Sequence, residues 1–141
     1  AAASMSFVEG KHFRMVTRES GSERHDLPIW TTEPNAINYA RDGWGPVRKS
    51  VVPGVPGAFV LSNVLTDAEC DAMATLSEAM GYTEDAPVSL GRQIRRNENC
   101  VIIADDTLWK PLWDRVAQHM PAAGAQPRGL NQRWRLYRYG V

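Results

Sequence analysis

The sequence has no long apolar run, no net charge, and few of the residues that close disulfides. Its longest apolar stretches, such as Val101 to Ala104, fall far short of the roughly 20 residues a membrane helix needs, which argues against a bilayer-spanning chain. Sixteen basic residues meet sixteen acidic ones, so no overall field draws the chain to nucleic acid, an anionic membrane or an acidic substrate. Cysteine occurs only as Cys70 and Cys100, without Cys-x-x-Cys spacing. Both sit among apolar neighbours, which predicts buried free thiols rather than a disulfide. No basic start with a continuous apolar run marks a secretory signal. An intracellular, reducing location, cytoplasmic or otherwise, is the expectation.

What is present fits one domain: 141 residues, 43% hydrophobic and 23% charged, enough to bury a sizeable core. Residues 1–52 are rich in Gly, Ser, Glu, Arg and Pro, and predict an irregular arm with one strand. The Pro/Gly hinge Val52-Pro53-Gly54-Val55-Pro56-Gly57 cannot continue a helix and hands over to a β-prone run, Ala58 to Leu61. The folded core, residues 53–141, is expected to start here. Thr66 followed three residues later by Glu69 reads as a capping box, with Leu65 and Cys70 as its hydrophobic staple. Met73, Leu76 and Met80 then share one helical face, and Gly81 stands where a left-handed residue ends the helix. That predicts an amphipathic helix over 66–80, its stripe a core contact.

A polar loop, residues 84–99, leads into the β-branched run Val101-Ile102-Ile103. Asp105 or Asp106 can cap a second helix with Leu108, Leu112, Val116 and Met120 at four-residue spacing. Pro111 predicts an initial turn through Trp109 and a restart near the proline, with the helix ending at Pro121. The aromatic-rich stretch from Arg133 to Tyr139 predicts a strand. Period two puts Trp134, Leu136 and Arg138 on one face, and Arg135, Tyr137 and Tyr139 on the other.

Three landmarks in this order resemble the opening of the prolyl 4-hydroxylase-like branch of the Fe(II)/2-oxoglutarate oxygenases. They are Pro56-Gly57-Ala58-Phe59-Val60-Leu61 with the capped helix; Arg96-Asn97-Glu98-Asn99 with Asp105-Asp106 and Leu112-Trp113-Asp114-Arg115; and Gly129-Leu130-Asn131-Gln132-Arg133-Trp134-Arg135-Leu136-Tyr137-Arg138-Tyr139. The resemblance covers about residues 53–141 and implies an α+β fold. Specifically, it implies the N-terminal helices and first strands of a double-stranded β-helix, or jelly roll, with the barrel incomplete in this chain. In the family a His-x-Asp pair soon follows the strand ending in the tyrosine, and a distal His and a cation come later. A facial iron triad needs two imidazoles and a carboxylate that converge. His12, His25 and His119 are scattered, and His25-Asp26 are adjacent, so the chain carries no metal or catalytic residue by this reading and is expected to be inactive alone.

For the complete domain the resemblance implies Fe(II) and 2-oxoglutarate as cofactors, oxidative decarboxylation coupled to hydroxylation, and a peptide, protein or small-molecule substrate. Tyr139 matches a position where the family sets a phenol against the 2-oxoglutarate carboxylate. The other reading, an aromatic filling a core, stays equally open. Arg135 and Tyr137 share its face and are substrate-binding candidates. Arg95, Arg96 and Asn97 resemble the family's strand entry near the substrate opening, against the more ordinary reading of solvated loop charges. Trp109, Trp113 and Trp134 are read as core anchors. An edge left open after Tyr139 implies that the rest of the chain, or a partner chain, completes the sheet. The alternative is a non-catalytic protein-binding module derived from the same fold. A single-strand nucleic-acid binder, suggested by Arg128, Arg133, Arg135 and Arg138 among aromatics, is disfavoured by the neutral net charge.

Overall fold

The computed structural model describes residues 5–20, 26–42, 44–84 and 97–140. The helix expected after the hinge, α1, spans Asp67–Met80 with Thr66 as N-cap. Thr66 Oγ1 accepts from the Glu69 N–H at 3.1 Å, and Glu69 Oε1 accepts from the Thr66 N–H at 2.8 Å. These reciprocal bonds satisfy two donors that an uncapped helix start leaves open. At the other end Gly81 adopts φ 96° and its N–H reaches the Ser77 carbonyl, a conformation that favours glycine. Ala72, Leu76 and Met80 are buried, with Met73 packed beside them. The staple is not formed as expected, because Cys70 is exposed. The helix turns its apolar stripe inward from Ala72, and position 70 falls off that stripe. Only Cys100 is the buried thiol, and its burial pushes its pKa up to about 12.

The second helix, α2, is continuous over Asp106–Val116 with Asp105 as N-cap, and a 3-10 turn, Ala117–His119, follows. Pro111 therefore does not divide it, contrary to the expected restart. The cost is the one bond from position 111 to the Thr107 carbonyl. Burial of Leu108, Leu112 and Val116 at roughly 1.5–3 kcal/mol per large apolar side chain outweighs that loss.

Seven strands complete an α+β arrangement among the described residues: β1 Phe13–Ser20, β2 Asp26–Thr32, β3 Arg48–Val51, β4 Phe59–Ser62, β5 Thr83–Glu84, β6 Asn97–Ile103 and β7 Arg133–Tyr139. β6 is the centre of the main sheet. On one edge β7 pairs with it antiparallel along its whole length; on the other, β2 runs parallel beside residues 101–103 and β5 antiparallel beside residues 98–99. β1 pairs antiparallel with β2, with a bulge between Met15 and Thr17. β3 and β4 form a separate two-stranded hairpin that Lys49 ties to the His119 carbonyl at 2.9 Å.

Both helices cover one face of the sheet. Phe13, Trp30, Cys100 and Ile102 meet Leu76, Met80 and Leu108 there, with Trp109, Trp134 and Leu136 packed around them. Where the first fifty residues predict an irregular arm with one strand, the structure has two strands of the main sheet, and Phe13, Ile29, Trp30 and Ile37 are core residues. The pattern is hard to read because β2 buries both faces, so polar and apolar residues do not alternate along it. Pro28 also breaks the usual strand signature. It lies opposite Arg18 in the pairing with β1 and ahead of Ile29, where the pairing with β6 begins.

Candidate functional site

β7 is positioned by seven paired residues along β6, from Asn97↔Tyr139 to Ile103↔Arg133. Because side chains alternate across a strand, this register also settles which residues share a face. Trp134 and Leu136 point into the helix-covered core, and the Trp134 indole N–H donates to the Asn131 carbonyl at 2.8 Å. Arg135, Tyr137 and Tyr139 lie together on the opposite face with Asn99, Val101 and Ile29. The expected grouping is what the strand shows. These side chains are exposed, Tyr137 by 39% and Tyr139 by 68%.

The two tyrosines stack, ring centroids 6.3 Å apart and planes 27° from parallel. Farther along the strand, Arg133 makes a two-pronged pair with Glu19 of β1 at 2.8 and 2.9 Å. In a flat sheet, strands separated by β2 and β6 would stand about 14 Å apart, so these two long side chains reach over the face that holds Ile29 and Val101. Both of those residues are 2% exposed. The hydrogen bond from Arg133 and, to a lesser degree, the charges of Arg133 and Arg135 hold the Glu19 carboxyl below its ordinary range. Arg135 itself makes no hydrogen bond or ion pair among the described residues. Arg138, on the core side of the strand, is held between Glu78 and Glu98 and lies over the Tyr82 ring at 4.6 Å; it acts as a clamp between β7 and α1.

One group here escaped the sequence reading. Asn99 stands opposite Tyr137 on β6, is 2% exposed, and its Oδ1 is buried without a hydrogen-bond partner. A buried unpaired carbonyl costs about 1–3 kcal/mol. The only available signal was its place in Arg96-Asn97-Glu98-Asn99, and that does not reveal a facing strand. Of the other sequence candidates, Asn97 pairs its backbone with Tyr139, while Arg95 and Arg96 lie outside the described residues.

The face is suited to holding an anion: Arg135 and Tyr139 lie four strand positions apart on one side with Tyr137 between them, and the guanidinium and the phenol are each able to donate to a carboxylate. Among the described residues no three His, Cys, Asp or Glu side chains converge as a metal would require. His12 accepts the Val8 N–H through Nδ1 at 2.9 Å, the ring of His119 neighbours Gln118, and His25 lies outside the described residues. No helix among the described residues is long and apolar enough to cross a membrane. No family model, curated protein or solved structure matches the chain.

Proposed function

We propose that these residues form the front part of an Fe(II)/2-oxoglutarate oxygenase domain of the prolyl 4-hydroxylase-like type, with Tyr139 as a ligand of the oxoacid. One observation carries the reading. Both helices pack on one side of the sheet, while β7 presents Arg135, Tyr137 and Tyr139 on the other, the side that would become the interior if further strands closed a jelly roll. The order of the three sequence landmarks supports the same reading. Iron would supply the oxidative step in such a domain, and the role proposed for this chain's groups is confined to binding. Tyr139 donates its hydroxyl to a carboxylate of 2-oxoglutarate, Arg135 adds a second charge-assisted contact, and Tyr137 and Asn99 lie beside them toward the substrate. Arg95, Arg96 and Asn97 would serve the substrate opening.

The test is titration of the 141-residue chain with 2-oxoglutarate, followed by amide NMR. Shifts at residues 135–139 that vanish in Tyr139→Phe support the reading. An unshifted β7, or a Tyr139→Phe variant that binds as well as wild type, sinks it. With Fe(II) added, the chain alone is expected to release no succinate.

A second reading is favoured by a specific feature. Among the described residues β7 pairs with only one strand, β6, so its outer edge offers N–H and C=O groups that no described strand takes up. Such an edge is a template for an added strand. A non-catalytic protein-binding module would use this edge, and it would bind a partner without responding to 2-oxoglutarate.

A further inference from the structure

A cleft of about 800 Å³ lies on the far side of α2, walled by the helix and by residues 35–41 with Trp44. Its size falls within the roughly 300–1,000 Å³ of small-molecule and short-peptide sites. Its floor is rigid for a definable reason. Arg115 donates to both carboxylate oxygens of buried Glu69 at 2.7 and 2.9 Å, and to the Val64 and Ala40 carbonyls. Its guanidinium lies 4.0 Å from the centre of the Trp44 ring, and the indole N–H reaches the Asn63 carbonyl at 3.3 Å. The Trp44 ring is therefore already oriented, and a ligand would not have to order it.

The rim differs from the floor. Arg41 and Asn38 on one wall and Asp114 on the other are exposed, and among the described residues their side chains make no hydrogen bond or ion pair. Pro111, also in the cleft, has no N–H to give the Thr107 carbonyl, so the helix wall carries a backbone acceptor as well. The cleft thus offers Asp114 and the Thr107 carbonyl as acceptors along α2, where Lys110 is already held by Asp106 at 3.1 Å, donors on the facing wall, and an apolar surface of Trp44 and Pro111.

We propose that this cleft binds an extended peptide segment, with a basic side chain on Asp114, its aliphatic stem along Trp44 and Pro111, and a carbonyl or carboxylate on Arg41 and Asn38. Alternating N–H and C=O groups are what an extended peptide brings, and they match walls of opposite hydrogen-bonding character. A polyanion is disfavoured by Asp106 and Asp114, which would face its phosphates. A single amino acid would leave most of the volume empty.

The probe is the capped pentapeptide acetyl-Ser-Arg-Ala-Glu-Ser-amide, titrated into the full chain at low salt. The control peptide carries citrulline for arginine and glutamine for glutamate. We expect shifts of the Trp44 indole N–H and of amides in residues 107–115, with affinity reduced about ten- to hundredfold in Asp114→Asn, in Arg41→Gln and for the control peptide. Both positions are exposed and have no partner among the described residues, so the variants should melt like the wild type, and loss of binding would not reflect unfolding. The proposal is overturned if the cleft signals do not move, if the peptide shifts β7 instead, or if Asp114→Asn binds as tightly as the wild type.

Discussion

Glu69 is the residue on which most of the structure converges. It closes the capping box of α1, takes the Ala40 N–H at 2.8 Å, and receives Arg115 from α2. Burial alone would raise its pKa, but Arg115 and the two backbone N–H groups outweigh it and hold the carboxyl down at about 2. Because the folded-state pKa lies below the unfolded one, the pair's stabilisation is present above about pH 4.5 and is lost as pH falls toward 2. The shift is worth about 3 kcal/mol. Melting temperature measured against pH should therefore fall steeply through that window, and Glu69→Gln should flatten this part of the curve. Arg115→Ala, which leaves a buried carboxylate unpaired, is expected to cost about 3–5 kcal/mol at neutral pH. A loss below about 1 kcal/mol would mean that the pair does not hold the helices together.

At the scale of elements, α2 shows how packing overrides local preference. Pro111 sits at its sixth position, where proline disfavours a helix by about 3 kcal/mol relative to alanine. The buried Leu108, Leu112 and Val116 keep the helix whole. Pro111→Ala, which restores the donor for the Thr107 carbonyl, is expected to raise stability by about 1–3 kcal/mol, seen as a higher denaturant midpoint with unchanged slope. An unchanged or lower midpoint would show that the proline ring contributes packing that its missing N–H conceals. By contrast the capping box and Gly81 were legible from spacing alone, because a helix end is a local problem solved by the residues nearest to it. β7 was legible as a strand and in its alternation, and Trp134, Leu136 and the Arg135, Tyr137, Tyr139 set fell on opposite faces as period two requires. Which of those faces meets a core could not be read from one strand.

At the scale of the molecule, the main sheet ends at β7 with an edge that no described strand covers, and β3 and β4 form a hairpin with Val51 and Val60 exposed by 73% and 54%. Two-stranded hairpins and open edges gain stability from added strands. The isolated chain is expected to self-associate as its concentration rises, with sedimentation velocity reporting the shift from monomer. A monomer at all concentrations, with a sharp cooperative melt, would show that the edge needs no further partner.

The sequence by itself determined the helix with its cap, the central apolar strand, the aromatic strand and the neutral surface charge. Each depends on residues within a few positions of one another or on simple counting. Tertiary structure decided the rest. It brought β1 and β2 into the core, set Asn99 opposite Tyr137, exposed Cys70 and joined Glu69 to Arg115, forty-six residues apart. These features arise from the pairing of distant segments, and the free energy of such pairing comes from surfaces that meet only in the folded chain.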